Sequence, residues 1–163
     1  MKILGIDPGV AIIGYGIIEE KNKMLKLINS GCIFTKAGTP HPERLSQISK
    51  KLLKIIKKYK PDILAVEELF FCKNVKTALK VGEARGVILA TAMQFKLPIR
   101  EFTPLQIKQA LTGYGRADKN QIQQMVKIIL NLKKIIKQDD AADAVATAIT
   151  CANTVSLFKL KPN

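Results

Sequence analysis

With 163 residues, 47% apolar and 25% charged, the chain has the length and composition of one globular domain able to bury a core. Its 27 Lys and Arg against 13 Asp and Glu give a formal charge of +14 at pH 7, which points to polyanionic partners such as nucleic acid or an anionic membrane surface. No apolar run approaches the roughly 18 residues that span a bilayer, the opening Met1-Lys2-Ile3-Leu4-Gly5-Ile6 is too short for a secretory core, and Cys32, Cys72 and Cys151 are too scattered for a disulfide framework or a zinc site.

Residues 2–6 form a short apolar run closed by Asp7-Pro8-Gly9, which predicts a strand and a turn. Ile12 to Ile18 and Met24 to Phe34 continue a three-strand meander, with Glu19 to Lys23 as a polar turn. Thr35 to Pro42 reads as a loop, and the lone His41, between two prolines, as a loop residue rather than a ligand or base. Leu45, Ile48, Leu52, Ile55, Ile56 and Tyr59 then recur at helical spacing among lysines. Ile63 to Val66 is a compact buried strand, Val75 to Phe95 a long helix, and Arg100 to Phe102 a brief strand. Thr103-Pro104-Leu105-Gln106 and Asp118-Lys119-Asn120-Gln121 are both helix starts of capping-box type. A last helix begins at Asp139 or Asp140. The order predicts an α/β fold, a mixed five-stranded sheet with helices on both faces. Residues 1–155 read as one domain and 156–163 as a short basic tail.

In so basic a chain the placement of acids carries information. Asp7 ends the first apolar strand, and Glu67 and Glu68 end the run 63–66. If these strands are parallel neighbours, Asp7 and Glu67 emerge together at the carboxyl edge of the sheet, where open α/β sheets hold ligands. Asp139, Asp140 and Asp143 stand at the start of the last helix, where the backbone dipole favours acids regardless of chemistry. Both 139/143 and 140/143 share a helix face, and spacing does not choose between them. Clustered carboxylates raise one another's pKa unless a cation neutralises them. Hard divalent ions such as Mg²⁺ suit an all-oxygen site, and a pair of them about 4 Å apart serves phosphodiester hydrolysis.

Ile6-Asp7-Pro8-Gly9, Gly14-Tyr15-Gly16, Val66-Glu67-Glu68-Leu69-Phe70, Ala84-Arg85-Gly86, the run Lys108 to Lys119 and Asp140-Ala141-Ala142-Asp143-Ala144 together resemble the RuvC family of bacterial Holliday junction resolvases, from residue 3 to about residue 152. The resemblance implies a ribonuclease H-like fold, a homodimer packed through the helix 75–95, and paired Mg²⁺-dependent nicks in a four-way DNA junction, with Mn²⁺ able to substitute and two ions per site. It also implies a branch-migration motor complex as partner, while the scattered cysteines make a reducing, cytoplasmic location the expectation. Asp7, Glu67, Asp140 and Asp143 match the family's metal-binding carboxylates, whereas Glu68 and Asp139 fall outside the matched positions. Phe70 matches an aromatic placed against bases near the crossover, and stacking of that kind contributes roughly 1–3 kcal/mol per base. Lys108, Arg116 and Lys119 match basic positions near the scissile phosphate, Lys119 as the stabiliser of transition-state charge. Lys73 and Lys76, with Lys80 and Arg85, are further candidate DNA contacts, although a basic helix face also arises simply from solvation. Ala11, Ile12 and Ile13 replace a segment that is usually polar in the family. Gly82, Ala84 and Gly86 would permit close approach of a second copy, although small residues also simply pack against the sheet.

The leading expectation is therefore a junction-resolving endonuclease. Its alternatives are another ribonuclease H-like nuclease acting on flaps, RNA or hybrids, and a junction-binding protein without turnover. Membrane-surface binding through the Lys-rich helix at 45–60 fails on composition, since the helix lacks Trp and its stripe reads as core.

Overall fold

The computed structural model describes residues 1–68 and 75–159, with the side chains of residues 75, 76 and 156–159 outside the description. The strands β1 (Lys2–Asp7), β2 (Ile12–Lys21), β3 (Met24–Phe34), β4 (Ile63–Glu67) and β5 (Ile99–Phe102) form one sheet in the order β3-β2-β1-β4-β5. β1 runs antiparallel to β2 and β2 to β3, while β1, β4 and β5 are parallel. The hairpin turn is tighter than the polar run Glu19 to Lys23 suggests. Pairing continues to Lys21↔Met24, so Asn22 and Lys23 alone make the turn, both left-handed at φ 53° and 64°, in keeping with the twist of a two-residue hairpin.

Helices α1 (His41–Tyr59) and α2 (Val75–Met93) cover one face of the sheet, and α3 (Pro104–Thr112), α4 (Lys119–Ile129) and α5 (Asp139–Lys159) the other. Under α1 and α2 lie Leu4, Ile6, Ile13, Ile17, Leu64 and Val66, met by Ile48, Leu52 and Ile56 from α1 and Ala84, Ile88 and Ala92 from α2. Both helix sets repeat every four residues, the spacing of one helix face. On the opposite face Ile3, Ile18, Ala65 and Phe102 pack against Ile107, Leu111, Ile122, Val126, Val145 and Ile149. Each fully buried Ile or Leu contributes about 1.5–3 kcal/mol, so the two apolar layers hold the helices to the sheet.

One sequence expectation needs correction. His41 is not in a loop: it is the first residue of α1, after Pro40 as N-cap, and its ring pairs with Glu83 of α2. The prolines favour this start, because the first helical turn needs no N–H from them. Of the small residues of α2, Ala84 takes the other course open to it and is fully buried against its own sheet. The final helix carries through Lys159.

Candidate active site

α5 rests on the sheet because three positions beneath it have no side chain. A Cβ on Gly14 would lie 1.8 Å from the Asp140 carbonyl oxygen, one on Gly5 2.0 Å from that of Ala144, and one on Gly16 2.4 Å from Val145 Cγ2. Gly5 pairs with Gly16 and Asp7 with Gly14 across the β1–β2 ladder. The glycines therefore form a seat, and the Ala-rich sequence of α5 keeps the helix thin enough to use it. This contact brings the first turn of α5 to the end of β1, where Asp7 emerges. Since Ile6 pairs with Val66 in the parallel β1–β4 ladder, Glu67 stands beside Asp7.

The electrostatics report the resulting crowding. Asp7 is pushed up from 3.8 to about 8, first by burial and then by Glu67, Asp143 and Asp140. Glu67 is pushed up from 4.5 to about 7 by burial and by Asp143, with Lys108 opposing. Asp143 is also raised, by burial first, against the pull of Lys119. Burial works against the Lys119 ammonium, but Asp143 and Asp139 more than offset it and hold its pKa above the usual lysine value.

Lys119 is the first residue of α4, set by a capping box in which Asp118 accepts from Gln121 N at 2.8 Å and Gln121 Oε1 accepts from Asp118 N at 2.9 Å. Its Nζ lies 3.4 Å from Asp143 Oδ2 and 3.2 Å from Asp139 Oδ2. Glu67, Lys108, Lys119 and Asp143 give a cavity of about 220 Å³ its polar half, and Ile107, Ile122 and Ala146 its apolar floor. Lys108 reaches it from α3, which starts at the Thr103/Gln106 capping box expected from the sequence. Arg116 is exposed on the loop before α4 and is not part of this wall. Asp140 faces a second groove, of about 410 Å³, with Val10, Ala11, Ile12, Arg44 and Lys80 along it. The acids thus stand on a ridge between two openings, each flanked by cations.

Among the described residues no three His, Cys, Asp or Glu side chains converge tightly enough to hold a metal ion as they stand. Lys119, 3.4 Å from Asp143 Oδ2, supplies part of the counter-charge. The donor set nonetheless fits one: it is all oxygen, and burial has left Asp7 and Glu67 without adequate counter-charge.

Phe70 and Lys73 lie outside the described residues, as does the side chain of Lys76. Arg85 is engaged in an ion pair with Glu101 of β5, which explains its position without DNA. Two features escape sequence reasoning. Asp139 is a helix-start residue and also binds Lys119. Thr35 and Arg44 brace the turn after Asp7: the Thr35 hydroxyl donates to Val10 O at 2.7 Å, and Arg44 Nε donates to Thr35 Oγ1 at 2.8 Å. No spacing rule links residues 10, 35 and 44; a Thr in a loop and an Arg in the first turn of a helix carry no signal in the sequence of their meeting.

Comparison with known proteins shows the family and the fold. The family model described as "Crossover junction endodeoxyribonuclease RuvC" matches residues 3–151. A protein of that name from Alkaliphilus oremlandii is 54% identical over 99% of this chain and 100% of its own length. Another, from Desulfitobacterium hafniense, is 55% identical over 97% of this chain and 96% of its own. Among solved structures, Thermus thermophilus RuvC superposes with a TM-score of 0.90 at 34% identity, each chain covered in full. The same protein in complex with a Holliday junction substrate gives 0.89 at 32%, again over both full lengths. The yeast mitochondrial resolvase Ydc2, at 16% identity and a TM-score of 0.69 over 96% of this chain and 81% of its own, shares the fold. Matched in sequence from its first strand to its last helix, this chain belongs to the RuvC family of crossover junction endodeoxyribonucleases.

Proposed function

We propose that this chain resolves Holliday junctions, hydrolysing one phosphodiester in each of two opposing DNA strands. The observation that carries the reading is the buried, under-neutralised acid cluster at the carboxyl edge of the sheet of a chain with net charge +14. A pocket of acids is a poor place for a polyanion unless cations join it, and the rest of the protein is built to attract that polyanion. The enzyme is a metal-dependent nuclease; Mg²⁺, replaceable by Mn²⁺ and present as two ions, is our finer assignment. Asp7, Glu67, Asp140 and Asp143 would hold the metal, which supplies the positive charge that makes water acidic enough to attack and that offsets charge on the departing oxygen.

The chain's own groups do the rest. Lys119 directs an ammonium toward the charge that develops on the phosphate, in a site already shaped for it. Lys108 flanks the same cavity and steers the strand. Arg116, Lys73 and Lys76 are assigned to phosphate contacts, and Phe70, three residues after Glu67, to stacking on a base near the crossover. Arg44 and Lys80 border the groove on the Asp140 side, so a strand crossing the acid ridge meets cations before and after it.

Two opposing nicks call for two sites, hence a homodimer. The outward face of α2 supports this: Leu79 is 64% exposed and Met93 57%, and a Cβ on Gly86 between them would meet nothing within 4 Å. A branch-migration motor complex is the further partner in this reading. Among the described residues no helix is long and apolar enough to cross a membrane; we assign the protein to the cytoplasm, with its DNA.

The decisive experiment offers the protein a mobile four-way junction and a linear duplex of the same sequence with Mg²⁺. Symmetric nicks in the junction alone are expected. Tight binding without nicks, in Mn²⁺ as well, would leave a junction-binding protein in place of an enzyme.

A further inference from the structure

Lys119 and Gln123 are four residues apart on α4, and Asp139 and Asp143 four apart on α5, so each pair shares a helix face. The two faces meet. Lys119 Nζ stands 3.2 Å from Asp139 Oδ2 and 3.4 Å from Asp143 Oδ2, while Gln123 Nε2 donates to the other Asp139 oxygen at 2.9 Å. Asp139 is therefore held by α4 through both of its oxygens. Asp143 belongs to the acid cluster, acting on both Asp7 and Glu67, whereas Asp139 acts on neither. Lys119 bridges the inside of the cluster and its outside.

The bridge has a purpose in the nuclease reading above, on which this inference rests. The capping box fixes the backbone of Lys119, but its four-carbon stem is flexible and its side chain 52% exposed. An ammonium tied to Asp143 alone would compete with a cation for that carboxylate, and would be released into solvent once the cation won. A free lysine loses rotamer entropy each time it must be placed against a phosphate. A second carboxylate, anchored by Gln123 and outside the cluster, removes that difficulty. We propose that Asp139 is a positioning residue for Lys119: it keeps the ammonium at the rim of the acid cluster, and leaves it facing the DNA phosphate when Asp143 turns to a cation. Asp139 touches neither substrate nor metal in this scheme and acts through Lys119.

The test compares wild type, Asp139→Asn, Asp139→Glu, Lys119→Met and the Asp139→Asn/Lys119→Met double variant. Asn has the shape of Asp, and its amide oxygen can still accept from Gln123, so the charge alone is removed. In metal-free protein, ¹⁵N relaxation of the Lys119 ammonium reads its order directly; that order is expected to fall in Asp139→Asn and to recover in Asp139→Glu. With Mg²⁺ and junction DNA, single-turnover cleavage by Asp139→Asn is expected to fall about two- to fivefold, the scale of an exposed ion pair, at unchanged junction affinity. In the Lys119→Met background the same substitution should add no further loss. Unchanged ammonium order in Asp139→Asn, or a further loss in the Lys119→Met background, overturns the proposal. Wild-type protein that binds the junction without cutting it would overturn the nuclease reading instead, and the ammonium measurement alone would then decide on Asp139.

Discussion

Asp7 and Glu67 hold their protons to about pH 8 and pH 7 in the fold, against 3.8 and 4.5 ordinarily. Between those limits the native state binds more protons than the unfolded chain, so metal-free stability is greatest at low pH within this window and falls as pH rises from about 4 to 8. Melting in EDTA should accordingly show a lower midpoint at pH 8 than at pH 5.5, and Mg²⁺ should raise the midpoint more at pH 8, where the carboxylates have fewer protons to release. Asp7→Asn removes the most strongly perturbed acid. At pH 8 without metal it is expected to be more stable than wild type, by about 2–4 °C for each kcal/mol of repulsion relieved. It should bind the junction and fail to cut it; gel-shift and cleavage assays on one preparation check both, and cleavage by Asp7→Asn would remove Asp7 from the mechanism.

The seat beneath α5 is the feature on which the site most depends at the level of elements. Gly5, Gly14 and Gly16 let the backbone of α5 approach the β1–β2 ladder so closely that Asp140 and Asp143 reach the end of β1. Gly14→Ala would place a methyl group 1.8 Å from the Asp140 carbonyl oxygen, where backbone on both sides must shift. Overpacking of this kind costs about 1–3 kcal/mol, read as a lowered melting midpoint. Cleavage should fall further than stability does, by about 10-fold or more at a temperature where the variant is fully folded, because displacement of about 1 Å at a reacting group is enough for such a loss. A folded Gly14→Ala variant with wild-type cleavage would mean that the acids tolerate a displaced α5. The capping boxes of α3 and α4 act in the same direction, fixing where Lys108 and Lys119 leave their helices.

For the whole molecule, the charge of +14 and the outward face of α2 bear on assembly with DNA and with a second copy. Across a two-fold interface a substitution is felt twice. In the homodimer we propose, Leu79→Glu would bury two charges in place of two apolar contacts of about 2 kcal/mol each, and is expected to convert dimer to monomer in sedimentation equilibrium at micromolar concentration without loss of the fold. Dimers unaffected by Leu79→Glu would mean that the copies meet elsewhere.

Element types, helix starts and the mixed sheet were legible in the chain because they depend on local rules: apolar period, capping boxes and the buried run 63–66 each act within a few residues. The carboxylates of β1 and β4 were legible too, since parallel neighbours of similar length end at the same edge. His41 was misread because prolines on either side suggest a loop, when the same prolines open a helix whose first turn does not need their N–H groups. Local spacing left Asp139 and Asp140 equivalent as partners of Asp143. The family resemblance favoured Asp140, and the tertiary structure separates the two in space, turning Asp140 toward the groove beside β1 and β2 and Asp139 toward Lys119 and Gln123 on α4. That division depends on the closeness of α5 to the glycines and on its angle to α4, contacts between residues more than a hundred positions apart in one case and about twenty in the other. The sequence by itself determined which residues carry charge and which elements bear them; long-range packing decided which charges meet.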